Sequence, residues 1–274
     1  MNCKLITHDL RCGLLRKKYL LIPIFFFIPM MAARAYCRSG FHEGFTADFL
    51  LCSFRGMLPV LGGDLFGTTV STTEWMSVVG GCLFLNLDYC LYDLITSGHQ
   101  LMIRSGKCVG WYFSKCLWNV CSCLLYFLIM VLMGLLFSAM CGASWNSLHA
   151  GEVTSLLYFG VSPIETLKTW EQLTIGLLFP FLTVLSLSLL EMTLCLFVRP
   201  IYSFLAVISL MAVSVQIASP LVIGNGAMGI RNAIFWFEPL YRWQTFLSCL
   251  ALIGGSLLAG AVRIKRMDVL GLKE

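Results

Sequence analysis

Long apolar runs separated by short polar connections dominate the chain. The first covers 19–33 and lies between Arg16-Lys17-Lys18 and Arg34. It is short for a bilayer core of about 30 Å, but cations at both ends can snorkel to the interfaces. Further runs cover 75–91, 111–137, 175–198, 201–217 and 240–262. Runs of this length in lipid must satisfy their own backbone hydrogen bonds, which a helix does. The pattern predicts about six crossings. Segment 45–69 is apolar on average, yet Asp48, Arg55, Pro59, Gly62, Gly63 and Asp64 interrupt it. Charges and helix breakers are costly at bilayer depth, so this stretch is expected to be a partly inserted or interfacial outer segment.

Ahead of the first run, Ile6, Leu10 and Leu14 share one helical face and Lys4, His8 and Arg11 the other. This fits a helix lying in the interface, or a basic leader that sets orientation; both place the N-terminus in the cytoplasm. Met31-Ala32-Ala33-Arg34 is a poor cleavage site, so the first run reads as a retained span rather than a secretory signal. The chain thus divides into an interfacial helix at 1–18 and a six-span domain at 19–274.

Composition gives the same class. The 274 residues are 58% hydrophobic and 12% charged, against about a quarter charged in soluble domains. Mean hydropathy is +0.84. The fold class is therefore all-α and polytopic, with lipid as the solvent. With both termini inside, Lys4, Arg11, Arg16, Lys17, Lys18, Arg104, Lys107, Lys115, Arg199, Arg263, Lys265, Arg266 and Lys273 fall at the inner side, 13 of 19 cations. The bias follows the positive-inside rule. The outer segments are then 34–73, 138–173 and 219–239. The third carries Gly224, Gly226, Gly229, Phe235, Trp236 and Phe237, a composition suited to a membrane surface. Arg199-Pro200 forms a tight inner hairpin.

Little catalytic chemistry is present. Gly106-Lys107 is preceded by Leu101 and followed by Cys108, where a phosphate-binding loop needs Gly and Ser or Thr. ATP must therefore be handled by another chain. His42-Glu43 and His149-x-x-Glu152 lack a third ligand, no metal site is expected, and no Gly-x-Ser-x-Gly occurs. None of the 13 cysteines forms a Cys-x-x-Cys pair; Cys37 and Cys52 share an outer connection, where a disulfide stays open. Two acids fall in or beside spans. Glu191 lies between Leu190 and Met192, as a functional acid or as a packing element bonded to a neighbouring helix. Asp88 lies nearer the inner interface, in reach of headgroups or cytoplasm.

The second inner connection is the most specific stretch. Gln100-x-x-x-Arg104-Ser105-x-Lys107-x-x-x-Trp111-x-x-Ser114-Lys115 resembles permeases of the type-2 ATP-binding-cassette exporter class in bacteria. The layout agrees: an amphipathic helix, six spans, a basic second inner connection and a long outer segment before the last span. Gly226-Ala227-Met228-Gly229-Ile230-Arg231 and Lys265-Arg266-Met267-Asp268 are similar in shape to small members of the class. The resemblance implies two paired permease subunits, identical or different, above two separate ATPase subunits that hold ATP and magnesium. By position, 93–110 becomes the inner coupling segment, with Gln100, Arg104, Ser105 and Lys107 as contacts to the ATPase. The implied location is the bacterial cytoplasmic membrane, with lipid and no nucleic acid among the partners.

The function expected is therefore a permease subunit exporting an amphipathic peptide, lipid-linked or drug-like substrate. The alternative is a membrane sensor or immunity subunit of a peptide-resistance system. A membrane-embedded enzyme is the third.

Overall fold

The computed structural model describes residues 3–14, 16–39, 46–57, 65–98, 108–142, 169–231 and 242–266. Helix α1 (Cys3–Leu14) is followed by a 3-10 turn, Lys17–Leu21, and by α2 (Ile22–Ser39). Then come α3 (Thr46–Ser53), α4 (Leu65–Asn86) and α5 (Tyr89–Asp93), the last running into a wide turn at Leu94–Gly98. Helix α6 (Cys108–Met140) is the longest. A short α7 (Thr169–Leu173) leads through Thr174–Leu178 into α8 (Phe179–Leu194). Helices α9 (Pro200–Gln216) and α10 (Arg242–Arg266) complete the order, with 3-10 turns at Ile223–Ala227 and Gly229–Arg231 between them. Among the described residues the structure is 89% helical and holds no strand.

Among the described residues, five helical stretches are long and apolar enough to cross a membrane: Lys17–Ala35, Thr72–Thr96, Cys108–Met140, Thr174–Leu194 and Arg242–Arg266. The chain is an all-α polytopic membrane protein. The remaining expected crossing corresponds to α9, a shorter apolar helix of 17 residues. At 1.5 Å per residue it reaches about 26 Å, a little under the hydrocarbon thickness. Pro200 starts it at a position where a missing N–H costs nothing. Arg199 before it is extended, as a residue preceding proline must be, and this separates α9 from α8 in a tight hairpin.

Two expected boundaries change. The described residues of segment 45–69 fall mainly in two helices. Its first part is α3, whose eight residues are all buried, and its last part opens α4. Helix α3 packs against α2 and α6. Thr46 and Ser138 share a hydroxyl hydrogen bond of 2.9 Å, and the Cys52 thiol donates to the Pro29 carbonyl at 3.2 Å. Asp48 is tolerated at depth because protein, not lipid, surrounds it. Cys52 is a free thiol, so no disulfide closes on it. The second change is at α10, which continues beyond residue 262 to Arg266, with three cations in its last turn.

Aromatic side chains fill the core. Trp75, Trp111, Trp118, Tyr89, Tyr112 and Tyr126 are fully buried, whereas Leu20, Ile24, Ile28, Leu132, Leu205 and Leu258 point outward, as lipid contact requires.

Candidate functional site

The end of the bundle where α1, α5 and α6 meet is built around a buried ammonium. Lys115 stands on the second turn of α6 with its side chain 0% exposed. Its Nζ lies 2.5 Å from Asp9 Oδ1 of α1 and 2.7 Å from Asp93 Oδ2 of α5. Ser114 donates its hydroxyl to Asp9 Oδ2 at 2.5 Å, and Trp111 donates its indole N–H to Asp93 Oδ2 at 3.0 Å. Tyr89 donates to Asp9 at 3.2 Å, while its ring lies 4.6 Å from the Lys115 ammonium. A cation over an aromatic face gains from the ring quadrupole. Arg16 covers the Tyr89 and Tyr92 rings from outside at 4.6 and 5.2 Å. Burying two carboxylates and an ammonium is costly unless their remaining hydrogen-bonding positions are filled, and these neighbours fill them.

Local sequence makes this geometry possible. Trp111 and Lys115 are one turn apart on α6, so indole and ammonium reach the same carboxylate. Asp9 and Gly13 are likewise one turn apart on α1 and both face α6. A Cβ at Gly13 would overlap the Trp118 indole, so only glycine lets the two helices approach this closely. Gly98 is constrained in the same way: a Cβ there would sit 2.7 Å from both Asp93 Oδ2 and Trp111 Nε1. The clasp therefore joins three pieces: the N-terminal helix, the chain entering residues 99–107, and the helix leaving them.

A neutral polar layer also occupies the bundle interior. Asn86 Nδ2 donates to Ser188 Oγ at 3.1 Å and to Asn119 Oδ1 at 3.3 Å, and Ser188 donates to Asn119 Oδ1 at 2.8 Å. Ser122 donates to Asn86 Oδ1 at 2.5 Å and shares a 2.7 Å hydrogen bond with the Tyr19 hydroxyl. Helices α4, α6, α8 and the turn before α2 are thereby tied by mutually satisfied groups. Glu191, on the last turn of α8, is 1% exposed, and neither carboxylate oxygen has a hydrogen-bond partner. Burial fits both readings of this residue. Asp88 is exposed at the turn between α4 and α5.

Compared with protein-family models, curated proteins and solved structures, the chain matches none.

Gln100, Arg104, Ser105 and Lys107 lie outside the described residues. What the structure adds is the anchorage on either side of them. Asp9 is the residue missed by the sequence reading. An amphipathic face drawn through Ile6, Leu10 and Leu14 leaves it out, although the buried face of α1 includes Asp9 and Gly13. Lys115 reads as an inner-surface cation and is instead interior. A signal for it existed: Lys115, Asn119 and Ser122 recur at helical spacing inside an otherwise apolar helix.

At the other end, Arg231 is 1% exposed and hydrogen-bonds only to neutral oxygens. Its guanidinium donates to the carbonyls of Met57 at 2.7 Å, Ser214 at 2.5 Å and Val215 at 2.7 Å, and to Asn225 Oδ1. Burial lowers its pKa to about 10. Ser214 and Val215 belong to the last turn of α9, so Arg231 caps the negative end of that helix. Beside it a small cleft of about 20 Å³, room for one water-sized group, is bordered by Phe179, Met228 and Arg242. Among the described residues no group of three His, Cys, Asp or Glu side chains is placed to hold a metal.

Proposed function

We propose that the chain is the permease subunit of an ATP-driven exporter of the type-2 ATP-binding-cassette class, in a bacterial cytoplasmic membrane with both termini inside. The observation that carries this reading is the clasp of Asp9, Lys115 and Asp93. A subunit without its own phosphate-binding loop must receive work through a cytoplasmic contact. The connection at 99–107, with its basic residues, is anchored immediately on both sides by that clasp. A push on the connection is thus delivered to α1, α5 and α6 together rather than lost in a loose loop. The cargo class remains an amphipathic peptide, lipid-linked or drug-like molecule, because few charged residues fall within the apolar runs.

The test is co-expression with a phosphate-loop ATPase from a neighbouring reading frame, whose presence there is itself the first check, followed by co-purification in detergent. The ATPase is expected to co-purify. Arg104→Lys is expected to insert normally but weaken docking or transport, because an ammonium cannot reproduce bidentate guanidinium contacts; Arg104→Glu should weaken both further. Wild-type docking and transport in Arg104→Lys would reduce Arg104 to a topology determinant. Failure of any ATPase to associate, with ligand binding retained, would favour the sensor reading.

A further inference from the structure

A buried guanidinium ordinarily has a carboxylate beside it, because an uncompensated charge in a low-dielectric interior is costly. Arg231 has none within ion-pair distance among the described residues, and its contacts are carbonyl and amide oxygens alone. The carbonyl end of α9 offsets only about half a charge. Those four contacts engage at most four of its five N–H groups, so a donor is left over as well. The small cleft beside Arg231 is bordered by two further donors. Thr245 is 8% exposed, and its hydroxyl has no hydrogen-bond partner among the described residues. Arg242 is 31% exposed and meets Glu171 Oε1 at 3.4 Å, a long contact that leaves most of its N–H groups available. No acid borders the cleft among the described residues, and Ile175, Phe179 and Met228 supply an apolar wall.

We propose that this cleft is an oxyanion site that takes a phosphate group at the membrane surface, with buried Arg231 supplying the field and Arg242 and Thr245 the reachable hydrogen bonds. Two guanidinium groups exclude a cation and favour a planar or tetrahedral oxyanion. The donors come from the turn at Gly229–Arg231 and from the first turn of α10. A tetrahedral phosphate can present oxygens to both at once, which a planar carboxylate does less well. At about 20 Å³ the cleft admits one phosphate oxygen and leaves the rest of the group outside, beside exposed Arg242. Its depth suits a lipid headgroup. The helical stretches Thr174–Leu194 and Arg242–Arg266 both begin at the cleft, and exposed Trp170 and Trp243 flank those two beginnings, as aromatic residues do at a bilayer interface. The same donors would also take inorganic phosphate, so the two sources are separated by experiment. The site does not depend on the exporter reading.

The experiment is calorimetric titration of the full chain, purified in a non-ionic detergent, with inorganic phosphate in one arm and short-chain phosphatidylglycerol in the other. Saturable binding is expected, tighter for the lipid. Equal or tighter binding of inorganic phosphate would keep the site and make free phosphate its source. Arg231 is left in place, so that the fold is not at issue. Arg242→Gln should weaken binding about tenfold and Thr245→Val about threefold, the losses expected for a charged and a neutral hydrogen bond. Glu171→Gln removes the same ion pair as Arg242→Gln but keeps the cation, so it should leave binding unchanged or tighten it. A role of Arg242 confined to that ion pair predicts equal losses in the two variants. Absence of binding in both arms, binding unmoved by Arg242→Gln and Thr245→Val, or a loss in Glu171→Gln equal to that in Arg242→Gln overturns the site.

Discussion

Lys115 faces two carboxylates, and this imbalance sets what each substitution should do. Lys115→Met would leave Asp9 and Asp93 buried without a counter-charge and should cost about 3–5 kcal/mol. Asp9→Asn keeps an acceptor for Ser114 and leaves a one-to-one pair with Asp93, so its cost should be nearer 1 kcal/mol. Denaturant unfolding of the detergent-solubilised protein measures both; equal costs would deny Lys115 its central position. Arg231 is the counterpart at the other end of the bundle. Arg231→Met removes donors from the last carbonyls of α9 and from Met57, and a loss of about 3 kcal/mol is expected in the same assay, with Arg231→Lys intermediate. These residues were only partly legible beforehand. A lysine among inner cations, or an arginine in an outer segment, reads as a surface charge, because burial is a property of what packs around a residue.

At the scale of elements, α1 is a docked helix as much as an interfacial one. Its contact with α6 depends on Gly13 meeting Trp118, and no side chain fits between them. Gly13→Leu should therefore release α1 while leaving the spans inserted. Limited proteolysis of inside-out vesicles should then cleave near residues 14–17 in the variant and spare the wild type. Unchanged protection would place the anchorage of α1 elsewhere. Helix α3 gives the converse lesson. Its Asp48 and the sequence breakers after it argue against a crossing, but the same features fit a surface segment equally well. Only packing against α2 and α6 makes eight consecutive residues interior, since protein can satisfy polar groups at a depth where lipid cannot.

For the whole molecule, the orientation is tested by single cysteines in a background without accessible native thiols. Leu221, 83% exposed between α9 and α10, should react with an impermeant reagent added outside intact cells, and exposed Thr96 at the inner end should not. Labelling of position 96 would reject the orientation. The sequence alone determined the solvent, the helical class and nearly all crossings, because each apolar run must satisfy its own backbone and match a bilayer thickness, constraints local in sequence. It also determined the break at Arg199-Pro200, where proline restricts its predecessor. The tertiary structure decided which polar residues meet. Asp9, Asp93 and Lys115 are separated by 84 and 22 positions, and their partnership exists only once α1, α5 and α6 have packed, because electrostatic pairing depends on distance in space and not along the chain.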